Sequence, residues 1–206
     1  MRHIRTQTLL LTAFAMTAFA ANSLLCRLAL GDGAIDAPGF TALRLASGAL
    51  VLWLLLVQRS GFTPLRPNLK AATMLFAYAA TFSFAYLQLD AGVGALILFG
   101  AVQLTMGGAG LLAGEPTPPL TWFGLAMSLG GLVYLVSPGL TAPPLTGAAL
   151  MTTAGVAWGL YSLSGRGVDN PLRATAGNFI GAVPLALLLC LPFLGQLHLS
   201  TRGVVL

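Results

Sequence analysis

Seven stretches of this chain are apolar and long enough, or nearly long enough, to cross the hydrocarbon core of a bilayer as helices, which takes roughly 20 residues each. They cover residues 9–30, 40–57, 71–89, 93–114, 120–136, 145–163 and 174–194. The last five of them contain no charged side chain. The connectors are short and rich in Pro, Gly and Asp, such as Gly31-Asp32-Gly33 and Thr141-Ala142-Pro143-Pro144. Connectors of this length make neighbouring helices antiparallel, so the expectation is an all-α, polytopic membrane helix bundle.

Composition points the same way. Hydrophobic residues make up 57% of the 206-residue chain and charged residues 7%, far too little charge to coat a soluble domain of this size. The formal charge of +5 does not indicate nucleic acid. The Lys and Arg residues stand at the ends of apolar segments and form no basic run with interleaved aromatics. Cys26 and Cys190 each lie inside an apolar run and read as small buried hydrophobes, with no disulfide or metal-ligand spacing. Arg2, Arg5, the run from Leu9 and Ala18-Phe19-Ala20 also fit a signal peptide, but the run continues to Leu30 and completes a span.

Charge also sets an orientation. Arg2, Arg5, Arg59, Arg66, Lys70, Arg166 and Arg173 fall on one side, and Arg27, Arg44 and Arg202 on the other, with Asp32, Asp36 and Asp90. The richer side is expected in the cytoplasm, and the N-terminus with it. Trp53 and Trp122 then fall near the inner boundary, with Tyr86 and Tyr134 near the outer one, as an aromatic belt places them.

The first and sixth stretches share a pattern. Residues 19–27 lie without gaps on residues 158–166: an aromatic (Phe19, Trp158) leads, Ser and Leu recur inside, and Arg27 and Arg166 close. A unit of five spans is odd, so a second copy enters the membrane upside down, a hallmark of alternating-access carriers. The motifs extend the likeness. Asn22 five residues before Arg27, Phe40-Thr41-Ala42-Leu43-Arg44, Gly114-Glu115, Gly130 to Leu135 and Ala157-Trp158-Gly159 together resemble the EamA-like group of drug/metabolite transporters. The resemblance covers nearly the whole chain. It implies inverted five-helix repeats, ten helices in all, a central substrate cavity and secondary transport, often export. It also implies a first repeat over residues 1–139 and an incomplete second over 140–206, because the chain stops where an eighth span is due. A chain ending there is not expected to transport alone, and an alternative is a non-transporting membrane module that associates with another chain or with a second copy.

No catalytic constellation is visible. His3 and His198 stand outside the spans, the acidic residues are scattered through connectors, and no metal-ligand spacing or phosphate-binding glycine loop occurs. Neither an enzyme nor a cofactor is expected. Transport needs polar groups facing a cavity at membrane depth. The candidates are Asn22, Ser23, Arg27, Arg44, Gln103, Trp158, Tyr161 and Asn178. Gln103 and Asn22 either line a shared cavity or make interhelical hydrogen bonds. Ser23 and Arg27, four apart, share a helix face and could point at one ligand. Arg27 and Arg44 read as snorkelling to headgroups or pairing with Asp32 and Asp36, or else as drawing anions to the outer mouth. Trp158 and Tyr161 read as packing and belt residues or as cavity walls. The pairs Gly110/Gly114, Gly155/Gly159 and Gly177/Gly181 are four apart and read as close-packing faces. Gly48 and Pro184 are candidate hinges. The expectation is an inner-membrane carrier for a small organic metabolite or drug, partnered by lipid and substrate and not by nucleic acid.

Overall fold

The computed structural model describes residues 6–31, 33, 35–61, 64–116, 118–136 and 143–195. Among them are seven α-helices: α1 (Thr6–Gly31), α2 (Ala37–Ser60), α3 (Leu69–Ala85), α4 (Ala91–Leu112), α5 (Pro119–Val136), α6 (Leu145–Ser164) and α7 (Pro171–Cys190). Each sits on one of the apolar stretches, and several begin where the sequence supplies an acceptor for the free N–H groups of a first turn. The Asp36 carboxylate accepts from Gly39 N–H at 2.7 Å to open α2. Asn68 accepts from Ala71 to open α3, and Asn170 accepts from Arg173 to open α7, where Pro171 takes the first helical position. Arg2, Arg5, His3, Asp32, His198 and Arg202 lie outside the described residues.

Among the described residues, four helices are long and apolar enough, by length and composition, to span a membrane: Thr6–Gly31, Ala37–Arg59, Ala91–Leu112 and Pro171–Phe193. The apolar α3 is shorter, at 17 residues. Seven helices were expected, and seven are found among the described residues. Helix α6 packs between α3 and α4, where Trp158 and Tyr161 are partly buried, while Thr152 and Thr153 are exposed and donate to carbonyls of their own helix.

The packing order runs α2, α7, α3, α6, α4, each helix against the next, with α2 also touching α3. The last two helices are therefore threaded among the first four. Helices α1 and α5 lie outside this row, both against α4, and display Leu9, Leu10, Phe14, Leu120, Phe123 and Met127.

Glycines set the closest approaches. A Cβ at Gly155 would come within 2.6 Å of both the Ala101 Cβ and the Leu98 carbonyl oxygen on α4, and one at Gly159 within 2.9 Å of Thr105. Gly177 and Gly181 lie against Arg66, Pro67 and Ala72, so that face of α7 is covered. The pair Gly110/Gly114 behaves differently from expectation. Gly114 lies beyond α4 at φ 71° with open space around it, so it turns the chain, a conformation favourable to glycine. Between α2 and α3 the Thr41 hydroxyl, wholly buried, lies 2.9 Å from that of Ser83, an interhelical bond the apolar reading missed.

Candidate functional site

The site forms where α1, α2, α3, α6 and α7 meet around one tryptophan. Trp158 of α6 is packed on three aromatic neighbours: Phe19 edge-on at 6.2 Å, Tyr78 at 4.7 Å and Tyr161 at 5.5 Å between centroids. Phe19 in turn meets Phe99 of α4 at 6.1 Å, and Tyr78 leads through Phe82 to Tyr86. The spacing of Tyr78, Phe82 and Tyr86, four residues apart, puts all three on one face of α3 and its continuation. The two aromatics that lead the repeated pattern, Phe19 and Trp158, are thus in contact.

Beside Trp158 is a cavity of about 380 Å³, walled by Phe19, Tyr78, Leu75, Phe179 and small residues, with Asn22 and Arg44 as its polar members. Arg44 does not snorkel. Its guanidinium lies over the rings of Phe82, Tyr78 and Phe40 at 5.0, 5.5 and 5.7 Å from their centroids. One of its N–H groups donates to Cys26 Sγ at 3.4 Å. The helix begins seven residues before Arg44, at Ala37, which places the residue about 10 Å along α2. That start is earlier than the apolar run suggested, because Asp36 and Pro38 open the helix ahead of Phe40. Among the described residues the ion pairs are Arg27–Asp90 and Arg166–Glu115, and Arg44 is in neither. The Tyr78 hydroxyl lies beside both the Asn22 amide and the Arg44 guanidinium.

Ser23 and Arg27 do face one partner, but it is Tyr86 of the same chain. Arg27 donates to the Tyr86 carbonyl at 3.1 Å and reaches Asp90 at 3.4 Å, and Ser23 lies beside the Tyr86 hydroxyl. Arg27, expected to snorkel or to pair with Asp32 or Asp36, pairs instead with Asp90, while Asp36 caps α2. Tyr86 is wholly buried and no belt residue, because the chain turns at the end of α3 and folds the ring inward onto Phe82. Tyr134 is exposed, as a belt position requires.

Gln103 and Asn22 do not share a cavity. Gln103 lines a separate space of about 410 Å³ beside α5 with Met106, Thr121 and Trp122. Its Oε1 is buried and has no hydrogen-bond partner among the described residues. Sequence position gave both residues mid-helix depth but not azimuth, and the α1–α4 contact turns them to different spaces. Asn178 is buried, and its Oδ1 accepts from the Asn68 backbone N–H at 3.3 Å, so it supports the start of α3. With Tyr161 it also borders a third cavity of about 330 Å³, rimmed by Arg66 and Arg166. Gly48 receives the Phe179 ring, which would stand 2.6 Å from an added Cβ, and Pro184 lies inside α7. No group of three or more His, Cys, Asp or Glu that could hold a metal occurs among the described residues.

No known protein-family profile matches the chain. The uncharacterized protein PA1977 of Pseudomonas aeruginosa is 57% identical to it over 199 residues, 96% of this chain and 69% of PA1977. The chain belongs to the PA1977 family. The uncharacterized inner membrane transporter YedA of Escherichia coli strain K12 is 28% identical over 138 residues, 65% of this chain and 45% of YedA, and the same holds for the O157:H7 strain. This PA1977-family chain thus spans about two thirds of one relative and under half of the other.

Proposed function

We propose that the chain is part of an inner-membrane secondary transporter of the drug/metabolite type, which exports a small organic metabolite. One observation carries the reading: a cavity partway along the helices is walled from both ends of the chain, by α1, α2 and α3 with α6 and α7, and is lined by Asn22 and Arg44. Polar groups at such depth belong to pathways and binding sites more often than to packing. The likeness to YedA, a protein named as a transporter, supports the same class. Rocking of one repeat against the other, with flexure near Gly48 and Pro184, supplies alternating access.

The end bearing Arg59, Arg66, Lys70, Arg166 and Arg173 faces the cytoplasm in this proposal. Reporter fusions after Gly61 and Val168 report cytoplasm and a fusion after Asp36 the outside; a cytoplasmic signal at Asp36 reverses the orientation. Transport itself is tested by solute flux across proteoliposomes, run with this chain and with PA1977 side by side. Saturable flux from either supports the reading. Its absence from both, across a broad set of metabolites, overturns it.

A further inference from the structure

We propose that the cavity beside Trp158 selects a small organic monoanion, a carboxylate carried on an apolar or aromatic body, with Arg44 as the residue that recognises its charge. The inference rests on the cavity being a substrate site and adds the chemical class of the substrate.

Arg44 carries the argument. A guanidinium is always protonated and presents five N–H donors in a planar fork. Inside a helix bundle such a charge is stable only when its donors are met or its field is balanced. Here Phe40, Tyr78 and Phe82 lie against the guanidinium and attract a cation through their ring quadrupoles, and the Tyr78 hydroxyl beside it meets one of its five donors. Another donor goes to the thiol of Cys26, a weak acceptor. Among the described residues no carboxylate pairs with it, whereas Arg27 and Arg166 each have one. The guanidinium borders the cavity, so its remaining donors meet whatever enters.

The rest of the wall defines the body of the ligand. Phe19, Tyr78, Trp158 and Phe179 offer rings, and Leu45 and Leu75 offer aliphatic surface. Asn22 adds one amide, able to donate or accept. None of the lining residues is Asp or Glu, so an ammonium group would find no counter-charge and would meet Arg44 instead. Simple carboxylates are therefore favoured over amines and over zwitterions. The volume, about 380 Å³, is at the small end of ligand pockets, which run from roughly 300 to 1,000 Å³, and suits one ring or a short chain.

The chain supplies its own reporter. It has three tryptophans, and replacing Trp53 and Trp122 with Phe leaves Trp158 as the only one, in the cavity wall. Binding is read from Trp158 fluorescence in detergent for three probes that share a body and differ in charge: phenylpropionate, phenylpropionamide and phenylpropylamine. The anion is expected to bind at least about tenfold more tightly than the amide, the scale of one hydrogen-bonded charge, and the amine more weakly still. In Arg44→Gln the anion should fall to the level of the amide while the amide is unchanged, and Arg44→Lys should restore part of the preference. Equal affinity for the three probes, tighter binding of the amine, or no binding of any of them overturns the proposal. If the Arg44 variants fail to fold, the charge series on the parent protein decides alone. Anion-selective binding without flux would leave this inference standing and sink the transporter reading. Flux of amines alone would do the reverse.

Discussion

Each end of α4 carries an arginine paired with an acid, yet the two ends are built differently. At the Asp90 end, Arg27 binds both the carboxylate and the Tyr86 carbonyl, and beneath it lies a dense core. Cys26, Ala29, Ile35, Phe82, Tyr86, Leu89 and Met151 are each at most 2% exposed. At the Glu115 end, Arg166 reaches the carboxylate at 3.1 Å with both side chains half exposed, and the space around it is hollow, with cavities of about 330 and 410 Å³. An arginine–carboxylate pair therefore stands over a sealed end in one case and an open end in the other. What seals is packing, since a half-exposed ion pair holds little by itself.

The strongest way to break this comparison is to add volume. In Gly94→Val, the new Cβ would come within 2.5 Å of the Tyr86 ring and near Met151, and the unfolding midpoint in detergent should drop by the equivalent of about 1–3 kcal/mol. Gly107, toward the open end of the same helix, has nothing within 4 Å of its added Cβ. There the same substitution should change stability by about 0.5 kcal/mol or less. An equal loss at both positions would show that the open end is packed after all.

The arginines separate the ends more finely. Arg27→Ala removes a half-buried bond to a carbonyl as well as an ion pair, and a loss of about 1–2 kcal/mol is expected. Arg166→Ala removes an exposed pair and should cost about 0.2–1 kcal/mol. Thermal unfolding of the two variants at low and high salt checks both, with the Arg166 effect fading as salt rises. A larger effect at Arg166 would mean that the ion pair, and not the core, holds its end closed.

The most local expected effect concerns Asn178, near the open end. Asn178→Ala leaves the Asn68 backbone N–H without its acceptor, and about 1 kcal/mol or less should be lost, because Asn68 is exposed and water can replace the bond. Hydrogen exchange in the first turn of α3 is the sensitive measure. Unchanged protection there would make Asn178 a cavity residue only.

Much of the helical layout was legible in the chain. The apolar lengths gave all seven helices, and Asp36, Asn68 and Asn170 mark helix starts by side-chain chemistry that acts within three residues. Site membership was legible only in part. Asn22, Arg44 and Trp158 do share a cavity, while Gln103 faces another and Ser23 and Arg27 serve Tyr86. The failures have one cause. Depth along a helix can be counted from its ends, but the direction a side chain takes around the axis depends on which neighbour the helix leans on.

That division is physical. A bilayer requires every spanning segment to satisfy its backbone within itself, so the sequence by itself determined that this protein is a set of apolar helices in alternating directions. The threading of α6 between α3 and α4, and of α7 between α2 and α3, was decided only by tertiary packing. It depends on whether Gly155 can meet Ala101, whether Gly48 can hold the Phe179 ring, and whether three rings from two helices can close around one guanidinium. Those are contacts between residues far apart in the chain, and their fit exists only once the helices are side by side.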